Sequence, residues 1–128
     1  MPLSAEFRGF VVNGTLTALS QYFAPCFFNE IQGREKEIRE KCEGLLSQIQ
    51  HLIPKKVVCD FAVLENTVMV IEINPFNDYT GCGTSACMFD WKFDRAVLDG
   101  EAPFEFRMVK ERHQNIKSLV GNEWRSYF

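Results

Sequence analysis

The residues able to do chemistry gather in two short stretches of this 128-residue chain, Glu6-Phe7-Arg8 and Asp60 to Phe76. In the second, two runs rich in β-branched and aromatic residues flank the polar break Glu65-Asn66-Thr67, which reads as an antiparallel hairpin. The runs carry Asp60, Glu72 and Asn74 where a purely structural strand would carry more valine. Turn length decides which way they face, because a slip of one residue swaps the faces. A two-residue turn at Glu65-Asn66 would set Asp60 opposite Ile71 and turn Glu72 to the other side. A three-residue loop pairs Leu64 with Val68, Ala62 with Val70, Asp60 with Glu72 and Val58 with Asn74. That register also gathers Val57, Cys59, Phe61, Val63, Met69, Ile71 and Ile73 on one apolar face. It avoids burying a carboxylate among aliphatic side chains, so it is the expected one.

Two carboxylates opposed on a sheet repel unless a cation lies between them. Asn74 points the same way as Glu72 and offers a carbonyl oxygen. Oxygens of Asp60, Glu72 and Asn74, converging from rigid strands, suit a hard cation such as Mg²⁺ held together with substrate phosphates. A solvated sheet face with scattered acids has the same spacing, and spacing leaves both readings open.

Other elements must position this hairpin. Ala5 to Val12 and Thr15 to Phe23 are joined by Asn13-Gly14, whose residues tolerate the positive φ of a type I′ turn. Strict alternation pairs Arg8 with Leu19 and gathers Glu6, Arg8, Thr17 and Gln21 on one face with Phe10 and Val12. Phe7, Val11, Leu16, Ala18 and Tyr22 fall on the opposite, core-like face. From Asn29 to Ile53 the spacing of Ile31, Ile38, Cys42, Leu45, Leu46, Ile49 and Ile53 predicts a helix packed on a sheet. Asn29 and Gln32 resemble a capping box, and Pro54 ends the helix. Further on, a loop from Phe76 to Thr84 leads to short strands at Ala86 to Trp91 and Phe104 to Val109. Asp94 caps a short helix closed by Gly100, Gln114 to Val120 forms another, and Trp124 to Phe128 is an aromatic tail.

Composition sets the bounds. The length fits a single domain over 1–128, and 46% apolar residues with twelve Phe argue for a folded chain. A net charge of −3 gives no reason to expect nucleic acid, and no apolar run is long enough to span a membrane. The N-terminus lacks a basic segment and an apolar signal core, so cytoplasmic residence is expected. Cys82 and Cys87 could be half of a zinc site, but His51 and His113 are too isolated to complete it. The fold class expected is α+β: a mostly antiparallel sheet of two hairpins and further strands, with the long helix across one face.

The combination of Glu6-Phe7-Arg8, Asp60 and Glu72-Ile73-Asn74-Pro75 resembles the ATP-grasp superfamily. Within it, the likeness is to the family of cell division cycle protein 123 and related ATP-grasp domain proteins. The likeness adds Phe10-Val11, a second strand ending in Ser20-Gln21, a helix, and a hairpin ending in Asn74-Pro75-Phe76. It spans about Ala5 to Phe76, with a weaker continuation towards Arg107. The resemblance implies ATP and Mg²⁺ as cofactors, with metal held by Asp60, Glu72 and Asn74. Glu6 and Arg8 would join them in binding nucleotide, and Arg8 would serve catalysis by neutralising transferring charge. It also implies a translation-factor-like protein partner, for which Phe27, Phe28, Trp91 and Trp124 are candidate contacts. The sequence begins at the Glu-x-Arg strand, and no lysine-bearing strand precedes Glu6. The resemblance is therefore to the C-terminal, metal-binding half of an ATP-grasp domain, and this half is not expected to be active unaided. The alternatives are an ATP-dependent ligase that activates a carboxylate as an acyl phosphate, and a truncated domain that no longer binds ATP productively.

Overall fold

A computed structural model describes residues 1–77, 80 and 87–111. A five-stranded sheet in the order β4-β3-β1-β2-β5 organises them. Its strands are β1 (Glu6–Val12), β2 (Thr15–Gln21), β3 (Lys56–Val63), β4 (Val68–Pro75) and β5 (Glu105–Arg107). The first four pair antiparallel, whereas β5 runs parallel to β2, so the sheet is mixed. Asn13 and Gly14 turn between β1 and β2 with φ of 52° and 78°, as the Asn-Gly signal requires. None of the described helices is long and apolar enough to cross a membrane.

The expected helix is interrupted. A 3-10 turn spans Asn29–Ile31, and α1 begins only at Glu35 and runs to Ile49. Gly33 lies between them at φ 77°, a left-handed conformation that ends the first turn and re-aims the chain. Asn29 caps nothing with its side chain, and Gln32 instead donates to the carbonyls of Phe28 and Val109. The apolar stripe is nevertheless as read: Ile38, Cys42 and Leu46 are buried, and Leu45, Ile49 and Ile53 pack beside them. They cover Phe7, Val11, Leu19, Val57, Cys59, Phe61 and Val63 on one face of the sheet.

The opposite face is also covered, but only in part. Phe10, Ala18 and Val58 are sealed by Cys87, Phe89, Trp91, Val97 and Leu98, the last two on the short helix α2 (Arg95–Leu98). Phe10 meets Phe76, Phe89 and Trp91 edge-on with ring centroids 5.3–6.2 Å apart, a favoured aromatic geometry. Cys87 to Trp91 therefore forms a lid and not the expected strand. Phe28 and Trp91 are core residues, so their expected role as surface contacts is corrected. The predicted helix at Gln114 to Val120, the tail with Trp124, and Cys82 lie outside the described residues.

Two β-bulges change the expected registers. One, between Phe10 and Val11 opposite β2, pairs Arg8 with Ser20 where strict alternation gives Leu19. The other lies in the β3–β4 ladder. Asp60 faces Glu72 and Val58 faces Asn74, but beyond the bulge Phe61 pairs with Val70 and Val63 with Val68. The turn is accordingly Leu64 to Thr67, closed by the Leu64 N–H on the Thr67 carbonyl at 2.8 Å. Val68 and Val70 pack on the core, whereas Met69, Ile71 and Ile73, expected there, are exposed.

Gly9 marks the tightest approach in the sheet. A Cβ placed there would lie 2.7 Å from the Phe61 ring and 2.8 Å from a Leu16 methyl, both buried. Gly9→Ala is expected to cost about 1–3 kcal/mol by overpacking, read as a lower urea midpoint at unchanged m-value.

Candidate functional site

One row of facing residues crosses the whole sheet. Glu72 on β4 faces Asp60 on β3, Asp60 faces Arg8 on β1, Arg8 faces Ser20 on β2, and Ser20 faces Arg107 on β5. Local alternation explains the placement of Asp60 and Arg8: their chain neighbours Cys59, Phe61 and Phe7 all point into the α1 core. Asp60 and Arg8 therefore lie on the other face, at the border of the lid.

Arg8 grips Asp60 with both arms of its guanidinium. Nε donates to Oδ1 at 2.9 Å and Nη2 to Oδ2 at 3.0 Å. The residues are 5% and 3% exposed, so this is a buried, bidentate ion pair. Burial works to lower the Arg8 pKa, but the hydrogen bond and charge of Asp60 outweigh it and leave that pKa raised. Asn74 donates from Nδ2 to Asp60 Oδ2 at 3.1 Å, which keeps its Oδ1 as an acceptor on the other branch of the amide. Glu72 is exposed. Glu6, half-buried beside this pair, has its pKa raised above 4.5, first by burial and second by the Asp60 charge.

The structure thus brings Arg8, Asp60 and Asn74 into direct contact, with Glu72 facing Asp60 across the ladder. Gln21 was expected beside Arg8 and is not there. The first bulge turns it to the opposite face, where it donates to the Phe23 and Cys26 carbonyls and accepts from the Val109 N–H. Tyr22, expected in the core, takes a place over Arg8 instead, with the guanidinium carbon 4.9 Å from its ring centroid. Burial raises the Tyr22 phenol pKa, and the Arg8 charge opposes that shift. Thr17 Oγ1 donates to the Leu98 carbonyl at 2.6 Å, which ties β2 to the lid. Ser20, Tyr22 and Arg107 are the site-face residues that sequence reading missed. Ser20 Oγ accepts from the Met88 N–H, and Arg107 Nη1 donates to the Met88 carbonyl, so both anchor the lid at the site. The run Ser20-Gln21-Tyr22 at the end of a strand was the available signal, but a bulge without a glycine leaves no trace in sequence.

Among the described residues, no group of three or more His, Cys, Asp or Glu side chains is clustered as metal ligands. The oxygen set at this site is two carboxylates and an amide.

This fold is shared with solved structures of a larger protein. The chain matches Cdc123 from Schizosaccharomyces pombe with a TM-score of 0.72 and 23% identity, over 86% of this chain and 43% of that one. The C-terminally truncated form of that protein matches with the same TM-score and identity, over 86% and 42%. The chain therefore spans less than half the length of these structures. No curated protein sequence matches it. The family model D123 matches residues 1–126, and the chain belongs to that family.

Removing one partner of the ion pair should be far worse than removing both charges. Arg8→Met leaves Asp60 buried and unpaired and is expected to cost about 3–5 kcal/mol, whereas adding Asp60→Asn should recover most of the loss. Chemical denaturation of the four-member mutant cycle measures this. Glu6 gives a pH test. Its folded pKa is raised, so its contribution is present below the unfolded value and is lost as pH rises through the folded one. Glu6→Gln should flatten the fall in thermal midpoint above pH 4.5, and an unchanged slope would exclude Glu6 as its source.

Proposed function

We propose that residues 1–128 form one domain that carries the metal- and phosphate-facing half of an ATP-grasp nucleotide site in a cytoplasmic Cdc123-like protein. The supporting observation is the charge of the cluster around the buried Arg8–Asp60 pair. Glu6, Asp60 and Glu72 set three carboxylates against the one guanidinium of Arg8, which leaves two negative charges in excess. A divalent cation would offset that excess, and it would also relieve the facing of Asp60 and Glu72.

The residues present fit Mg²⁺. All the donors are hard oxygens. Asp60 keeps free lone pairs beyond those used by Arg8 and Asn74, since each carboxylate oxygen accepts more than one bond. Glu72 and the Asn74 Oδ1 complete the set that would hold the ion, and the ion would supply positive charge to offset that of bound phosphates. The chain's own residues do the rest. Asp60 is fixed by two arms of Arg8 and so cannot swing away from the metal position. Arg8 presents fixed positive charge beside the phosphates, and the Tyr22 ring limits the motion of its guanidinium. No protein nucleophile is required.

As the resemblance implies, the bound nucleotide would stabilise a conformation that grips a translation-factor-like protein partner. Calorimetric titration of Mg-ATP tests the site. Wild type is expected to bind, and Asp60→Asn combined with Glu72→Gln is expected to lose at least tenfold in affinity. Equal binding by the two proteins, or no binding by either, would sink the reading. Release of ADP and phosphate that depends on an added carboxylate and amine acceptor, with formation of their coupled product, would instead identify a ligase.

A further inference from the structure

On the α1 side of the sheet, away from Arg8 and Asp60, the fold holds a cavity of about 460 Å³. That volume falls within the range of small-molecule pockets, roughly 300–1,000 Å³. It lies where the N-terminal 3-10 turn, Leu3–Ala5, and the turn Asn29–Ile31 meet the start of α1 and the end of β3. Ala5, Phe7, Ile31, Ile38 and Val63, all buried, give it an apolar floor.

The polar part of the lining selects what fits there. Glu30, Glu37 and Glu65 stand against one cation, Arg34. Arg34 is taken up by Glu37, with Nε and Nη2 each 2.6 Å from Oε2. Among the described residues Glu30 and Glu65 have no ion-pair partner, and Lys41, which bonds the Leu64 and Glu65 carbonyls, does not line the cavity. Ser4 lines it as well. It is 7% exposed, and its hydroxyl has no hydrogen-bond partner among the described residues. A buried hydroxyl left in that state is costly, and a bound group that supplies a donor relieves it. A metal ion does not match this lining. The described acids form no cluster of metal ligands, and a hydrated cation gains nothing from an apolar floor. A protonated amine or guanidine on an apolar stem matches both parts, since its head donates to carboxylates and hydroxyl while its stem lies on the floor.

We infer that this cavity is a binding site for an organic cation with an apolar stem, its head held by Glu30, Glu65 and Ser4. This does not depend on the nucleotide reading, because the cavity lies on the other face of the sheet. Amide NMR titration with phenethylammonium, and with phenethyl alcohol as its neutral match, tests it. The ammonium should shift the Ser4, Ile31 and Glu65 amides and bind at least about fivefold tighter than the alcohol, the scale of one ion pair near a surface. Glu30→Gln combined with Glu65→Gln changes two exposed side chains and should keep the fold by circular dichroism. It should also remove the preference for the ammonium while leaving binding of the alcohol unchanged. The same chemistry could arrive free or on a partner's lysine, and titration with the blocked dipeptide acetyl-leucyl-lysine amide separates the two. Binding of phenethylammonium supports a free amine as ligand, and binding of the dipeptide alone supports a partner's side chain. Four results would overturn the inference: no binding of either cation, equal affinity for ammonium and alcohol, a preference that survives loss of both carboxylates, or shifts centred on Arg8 and Asp60.

Discussion

The bidentate contact between Arg8 and Asp60 is the constraint on which the remaining geometry depends. It joins the two central strands, β1 and β3, whose register is unbroken over seven facing pairs. Both bulges lie in the ladders that flank this pair of strands. The central ladder is thus the reference against which the outer strands adjust. A buried ion pair adds little net stability over well-packed apolar side chains. Its geometric demand is strict, because a one-residue slip between β1 and β3 would turn one of the two charges in among the apolar side chains beneath α1, away from its partner. The pair therefore acts chiefly on register. Asn74 and Tyr22 take their positions from it, one by hydrogen bond and the other by ring contact.

The face that carries the pair is divided in two. Towards Val58 and Phe10 it is a dry aromatic core under the lid, and towards Glu6 and Glu72 it is polar. This division concentrates charge where one side is walled by low-dielectric packing, a setting in which fixed charges act more strongly on a ligand than they would in open solvent. Ser20, Thr17 and Arg107 hold the boundary by bonding the lid to β2 and β5.

Much of this arrangement was legible in the residues, and the failures have physical causes. The facing of Asp60 and Glu72 followed from where a carboxylate can be buried, and the stripe on α1 followed from helical spacing. The Asn13-Gly14 turn followed from backbone stereochemistry. The bulges did not follow, because neither Thr17 nor Ile71 differs in type from an ordinary strand residue. Each is imposed by packing across strands distant in sequence, and each reverses the facing of what lies beyond it. That is why Gln21 and Tyr22 exchanged faces, and why Val68 and Val70 took the core positions expected of Met69 and Ile71. Gly33 was visible as a weak helix residue, but only its positive φ makes it a break. The lid escaped because Cys87 to Trp91 follows no regular period. The ligand and partner proposed for the site rest on resemblance and on the charge of the cluster.

Arg8 and Asp60 are 52 positions apart in sequence, with β2 and α1 between them. The β1–β2 hairpin can close locally within microseconds, but the β1–β3 ladder must first overcome the entropy of a long loop. The polar site therefore has no local precursor during folding. It comes into being only when the central ladder closes, so any ligand that needs both residues binds the completed sheet and draws the folding equilibrium towards it.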